Sequence, residues 1–246
     1  MSDYDRNATV RGTFAERTAV VDAGLRAHMI RVYNYMASAV ALSGIAAWLT
    51  FNAAVTDGRL TDFGRTMFSP VTMIVLMLGT LGLVFFISFR IDRLKYTTAL
   101  TLFMIYAGLL GVTLAPIFLV YTGASITRVF FISAATFGVM SLWGYTTQRD
   151  LTGMGSFLMM GLVGIIIASL VNLIWPNGML QFIISVIGVI VFAGLTAYDT
   201  QKIKEMYNAY DDGTASGRKA VMGALSLYLD FINLFLMLLR LVGDRR

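Results

Sequence analysis

The sequence contains no cysteine, one histidine (His28) and three prolines among 246 residues. Without cysteine there can be no disulfide, thiolate metal site or cysteine nucleophile, and a lone histidine cannot build a multi-histidine metal centre. So few prolines, with no low-complexity tract, give no sign of a linker or a second domain. Charge is scarce as well: Asp, Glu, Lys and Arg make up 13% of the chain, against about a quarter in soluble domains. That is too little to cover a soluble globule of this size, and 57% of the residues are hydrophobic. A soluble enzyme, a nucleic-acid-binding domain and a disordered chain are therefore poor descriptions, and an all-α polytopic membrane protein is the expected one. The net charge of +5 does not alter this, because the basic residues stand in short clusters between long uncharged runs. Such clusters suit anionic lipid headgroups better than a nucleic-acid footprint. A Gly-rich phosphate loop, HExxH and GxSxG are all absent, so no familiar catalytic motif marks an enzyme.

The uncharged runs count the spans. Val32 to Thr56 and Pro70 to Phe89 are the first two. Tyr96 to Thr127 reads as one span, Thr98 to Tyr121, followed by a Gly/Ser-containing turn at Thr122 to Thr127, and Val129 to Gln148 is the fourth. Leu151 to Tyr198 carries no charge over 48 residues. One helix of that length would measure about 70 Å, more than twice the hydrocarbon thickness. Trp175-Pro176-Asn177-Gly178 must therefore split it into two spans. Ala220 to Val242, apolar apart from Asp230, Asn233 and Arg240, is the seventh.

Alternate connections differ in charge. With the N-terminus inside, the internal segments carry thirteen Lys and Arg and the external ones three, which predicts a cytoplasmic N-terminus. The polar stretch 1–27 lacks the apolar core of a cleaved signal peptide. It reads as a cytoplasmic tail, with residues 28–246 as the membrane domain. Seven crossings place the C-terminus outside, although Arg240, Arg245 and Arg246 pull the other way. Gly161, Gly164, Gly188 and Gly194 are expected at close helix contacts, Trp48, Trp143 and Trp175 as interface anchors, and His28 as a solvated juxtamembrane residue.

An ionisable side chain inside the membrane needs a reason. Asp199, in LTAYDTQKI, ends the sixth span, and Asp230, in LSLYLDFINLF, lies ten residues into the seventh. Arg240 is close enough to its helix end to snorkel and reads as an anchor. Span six runs inward and span seven starts inside, so both acids fall in the inner half of the bilayer. Two carboxylates close together in low dielectric would share a proton and titrate as a coupled pair. Such a pair suits proton sensing and oxygen coordination of a hard cation such as Ca²⁺. The plainer alternative neutralises each acid separately, through Arg90 or Lys202, or through backbone and Asn233.

LTAYDTQKIKEMY followed by ALSLYLDFINLFLMLLRLVG resembles the C-terminal signature of the Bax inhibitor-1 family. The resemblance extends through VTLAPIF and ATFGVMSLWGYTTQRDLTGMGSFLMMGLVGIIIASLVN and covers Leu25 to Gly243, closest to bacterial members. It implies seven transmembrane helices, the last central between two three-helix layers. It also implies a pH-sensitive Ca²⁺ leak gated by a di-aspartyl pair, which falls on Asp199 and Asp230. An arginine closing the second span, which the family pairs with the first of those acids, falls on Arg90 in FFISFRIDRL. Protonating Asp199 would weaken that ion pair, so acid would open the protein. Bacterial relatives are also linked to regulation of membrane proteases, and the chain here ends at Arg246, without the longer basic tail of eukaryotic members.

Three functions compete. The first is a proton-responsive Ca²⁺ leak in the bacterial inner membrane, with Asp199 and Asp230 as its latch, calcium as transported ion and no cofactor. The second is an interaction module that restrains a membrane protease or stress-response complex. The third is an intramembrane aspartyl protease, since Tyr198-Asp199 supplies a YD pair. Presenilin-type proteases carry their second acid in GxGD, whereas Leu227-Tyr228-Leu229 precedes Asp230. The protein is therefore expected not to be an enzyme.

Overall fold

A computed structural model describes residues 3–246, with side chains from residue 22 onward. Among the described residues, seven helical segments are long and apolar enough to cross a membrane, and the only strands are two residues each. The all-α, seven-span expectation holds.

Helix α1, Asp3–Ala54, is continuous, and its membrane-crossing part starts at Asp22. It ends in a hairpin of β1 (Val55–Thr56) and β2 (Arg59–Leu60). The turn residues Asp57 and Gly58 both have positive φ, 52° and 72°, the left-handed pair that an Asp-Gly hairpin turn requires. A short α2 (Asp62–Met67) leads to α3 (Pro70–Arg90), where Ser69 caps the helix by accepting the Thr72 N–H and Pro70 fills the first turn. Helix α4 (Tyr96–Leu114) breaks at Ala115-Pro116 and resumes as α5 (Ile117–Val120).

Helix α6 runs Gly123–Thr146. The turn expected over Thr122 to Thr127 is thus helical, because the Thr122 hydroxyl accepts the Ser125 N–H and starts the helix there. Arg128 remains near the polar end, paired with Asp244 at 2.8 Å. The long uncharged run divides as foreseen into α7 (Thr152–Ile174) and α8 (Gly178–Glu205), with Asn177 capping α8 through the Leu180 N–H. Asp212 caps α9, Gly213–Val242, in the same way through Ala215.

Helix α9 is the centre of the bundle: 72% of its most apolar stretch is buried, against 11% in α3 and in α7. It packs on α1, α4, α6 and α8, while α3 lies outside on α4 and α7 outside on α8. Two close approaches hold the bundle tight. A Cβ on Gly144 of α6 would collide with the Ala197 carbonyl of α8, and one on Gly111 of α4 would collide with Ser43 of α1; only glycine lets the backbones come so near. Of the glycines expected at contacts, Gly188 meets Met237, Gly194 meets Leu158 and Gly161 meets Val191, whereas Gly164 faces open space.

The C-terminus returns to the connection before α6. Tyr121 bridges Arg245, the Arg246 N–H donates to the Val120 carbonyl at 3.0 Å, and the Asp244 N–H donates to Ser125 Oγ at 2.9 Å. The chain end therefore lies at the same end of the bundle as residues 120–125, as seven crossings require. His28 departs from expectation: it is 4% exposed, with its ring 5.7 Å from that of Tyr207. Because α1 is unbroken here, the loop after α8 folds over it and excludes solvent. Trp48, Trp143 and Trp175 face outward, 55%, 41% and 70% exposed, as interface anchors do.

Candidate functional site

Helices α8 and α9 cross side by side and bring both acids to one cavity of about 1050 Å³. Asp199 is half-buried and Asp230 only 6% exposed. Asp230 Oδ2 has no hydrogen-bond donor among the described residues. Of the partners offered for separate neutralisation, neither Asn233 nor Lys202 makes a hydrogen bond or ion pair to an acid among the described residues. The Asn233 amide donates instead to the Leu229 carbonyl of its own helix at 2.9 Å, and Lys202 forms no ion pair within 4 Å.

Arg90 does not join the acids. It is exposed at the end of α3, is absent from the cavity wall, and pairs with no carboxylate among the described residues. Helix α3 packs chiefly on α4, which keeps its last turn away from α8. The ion pair that the family resemblance implies for Arg90 and Asp199 is not formed in this arrangement.

The cavity has a direction. At one end are Asn172, Pro176, Gln181 and Arg240, beside the α7–α8 turn. At the other, the lining stops at Asp199 on α8 and Ser226 on α9. Beyond that point Ile203 packs against Gly223, so closely that a Cβ there would lie 3.0 Å from it. The lining thus extends from the α7–α8 turn to the acids and stops there.

The C-terminal half of α8 is firmly held around Asp199. Tyr33 donates to Ser141 (2.5 Å), Ser141 to Thr200 (3.0 Å) and Thr200 to the Thr196 carbonyl (2.7 Å). Gln201 accepts the Leu151 N–H and donates to the Arg149 carbonyl, both at 2.8 Å. Lys204 Nζ donates to the Tyr145 carbonyl at 2.9 Å. On α9, Tyr228 is fully buried, donates to Ser43 Oγ at 2.7 Å, and has Phe103 and Tyr106 edge-on to its ring.

Sequence reasoning found the two acids but not the wall they share. Ser226, Asp230, Asn233 and Arg240 all line the cavity, and their spacing of four, three and seven residues puts them on one stripe of an otherwise apolar helix. That stripe was available as a signal, and it makes Arg240 a lining residue as well as an anchor. Among the described residues no group of three or more His, Asp or Glu could hold a metal ion. Two carboxylates alone fall short of the six to eight oxygens of a resident Ca²⁺ site.

The family described as "Inhibitor of apoptosis-promoting Bax1" matches residues 25–246. Inner membrane protein YbhL of Escherichia coli (strain K12) is 48% identical over 227 residues, covering 91% of this chain and 94% of that protein. A Rickettsia prowazekii protein is 45% identical over the full length of both chains, and one from Borreliella burgdorferi is 44% identical over 89% of this chain and 92% of its own. With its seven helices, its buried acids and this match over nearly its whole length, the chain belongs to the Bax inhibitor-1 family.

Proposed function

We propose that the protein is a Ca²⁺ leak of the bacterial inner membrane whose pH response is set by Asp199 and Asp230. The observation that carries the reading is the cavity that runs from the α7–α8 turn into the bundle and ends at these two acids. The location follows from YbhL, which is described as an inner membrane protein, and the thirteen-to-three division of basic residues supports a cytoplasmic N-terminus. The cavity then opens outward, and the closure at Ile203 and Gly223 lies on the cytoplasmic side. Reporters at Asp62 and Asp211 would fall on opposite sides, Asp211 inside.

The vacant lone pair of Asp230 Oδ2 is satisfied when Asp199 carries a proton, since a protonated carboxyl is a donor. One shared proton then ties α8 to α9 at the closed end. Its loss leaves two like charges in low dielectric, which repel each other and attract a divalent cation. Flux therefore rises with pH across the titration of the pair. An Arg90–Asp199 latch predicts the opposite sign, with opening on acidification, so the direction alone separates the two gates.

The decisive measurement is Ca²⁺ flux in liposomes across pH, comparing the natural protein with Asp199→Asn and Asp230→Asn. Each variant should shift the pH midpoint of flux to lower pH, because the proton is no longer shared. A profile unchanged in both variants would overturn the assignment. Removal of residues 1–27 separates the competing interaction module, which would lose a membrane-protease partner, from the leak, which would continue.

A further inference from the structure

The wall of the cavity is incomplete. Between α3 and α7, which do not pack closely on one another, Met77 and Leu81 face Ile166 and Leu170, and all four are also about half exposed on the outside of the bundle. In a bilayer this gap opens sideways into hydrocarbon. Above it, at the outward end of the same cavity, Arg240 is exposed and has no acid partner among the described residues. Asn172, whose Oδ1 accepts the Asn177 N–H at 2.9 Å, and Gln181 line the cavity at that level. Arg240 lies ten residues beyond Asp230, about 15 Å along α9, which places its guanidinium near the level of lipid phosphates.

We infer that the cavity holds a phospholipid of the outer leaflet, its anionic headgroup on Arg240 with Asn172 and Gln181, and an acyl chain lying through the α3–α7 gap toward Asp230. Charge complementarity selects this occupant. A guanidinium offers a fork of donors that matches phosphate oxygens, and basic pockets between transmembrane helices are where headgroups bind. Methionine and leucine walls facing hydrocarbon suit a chain and give water no partners. Free phosphate would gain the arginine but leave the apolar gap unfilled.

A chain in the gap also displaces water from the approach to the acids, so the lipid acts as a brake on ion passage. That regulatory half rests on the leak reading above; the binding half does not.

The test is native mass spectrometry of the full-length protein titrated with phosphatidylglycerol or phosphatidylcholine, followed by flux in liposomes of each composition. The natural chain should retain phosphatidylglycerol in preference, and inorganic phosphate should not compete. Arg240→Gln removes a charge-assisted contact, and retention of phosphatidylglycerol should weaken about tenfold or more, with phosphatidylcholine, which has the phosphate but no net charge, weakened less. Leu170→Trp, which fills the gap, should lower retention of both lipids; should it fail to fold, Arg240→Gln still decides. Equal retention of the two lipids, unchanged in Arg240→Gln, would mean a nonspecific lipid annulus and overturn the inference. Flux should be lower in phosphatidylglycerol than in phosphatidylcholine, and Arg240→Gln should remove that difference. Absence of flux in every liposome would count against the leak reading alone, with lipid retention still read independently.

Discussion

Two buried polar side chains stand two residues apart on α9, and their surroundings differ completely. The Tyr228 hydroxyl donates to Ser43, and Ser43 Oγ lies 2.8 Å from the Ala107 carbonyl, so every group in the chain has a partner. Asp230 faces the other side of the helix, toward the cavity, with Oδ2 unmatched by any donor among the described residues. A satisfied buried network rigidifies a core, whereas an unsatisfied one costs free energy and persists where it is used. Tyr228 reads as a structural tie and Asp230 as a working group.

Substitutions should separate the two residues. Tyr228→Ala empties a fully enclosed aromatic site and should cost about 3–5 kcal/mol, as for other buried aromatics, read as a large fall in thermal midpoint in detergent. Loss of less than about 1 kcal/mol would mean that the site collapses without penalty. Tyr228→Phe removes only the hydroxyl, and Ser43 keeps its carbonyl partners. About 1 kcal/mol should be lost, with the pH profile of flux intact; a changed profile would show that Tyr228 belongs to the gate.

Asp230→Asn should behave in the opposite way. Its effect on stability should stay within about 0.5 kcal/mol, since a group already short of a donor loses little, yet the pH midpoint of flux should fall. A double-mutant cycle with Asp199→Asn sharpens this, because the double variant should shift the flux midpoint by less than the sum of the single shifts. Strict additivity would show that the acids do not sense one another. The smallest effect is expected of Arg90→Ala, since this side chain is exposed and unpaired among the described residues. Basal flux and its pH dependence should both be unchanged, and an altered pH dependence would revive the arginine latch.

The spans were legible because hydrocarbon imposes a single requirement, roughly 20 residues without charge, and the runs ending at Phe89 and the break at Pro176 state it directly. Helix ends were less legible. Capped by Thr122, α6 starts at Gly123, six residues before the apolar run does, since a capping hydroxyl and a paired Arg128 let a helix continue outside the hydrocarbon. Asp199 and Asp230 stood out by the same rule that exposed the spans. His28 and Arg90 were misplaced for a common reason: their surroundings depend on which elements from distant parts of the chain fold over them. In one case the residue-207 loop covers the side chain, and in the other α3 stays on α4. Neither relation is written in local composition.

The clasp at the C-terminus has a mechanical consequence. Arg245 and Arg246 fasten the end of α9 to residues 120–121, and the Tyr228–Ser43 tie fastens its middle to α1. Helix α8 is anchored beside Asp199 by Thr200, Gln201 and Lys204. The acid-bearing helices are thus fastened at several points, whereas α3 and α7 each pack chiefly on one membrane helix, α4 and α8. A tag fused directly after Arg246 would load this fastening, so function is best measured on chains labelled elsewhere.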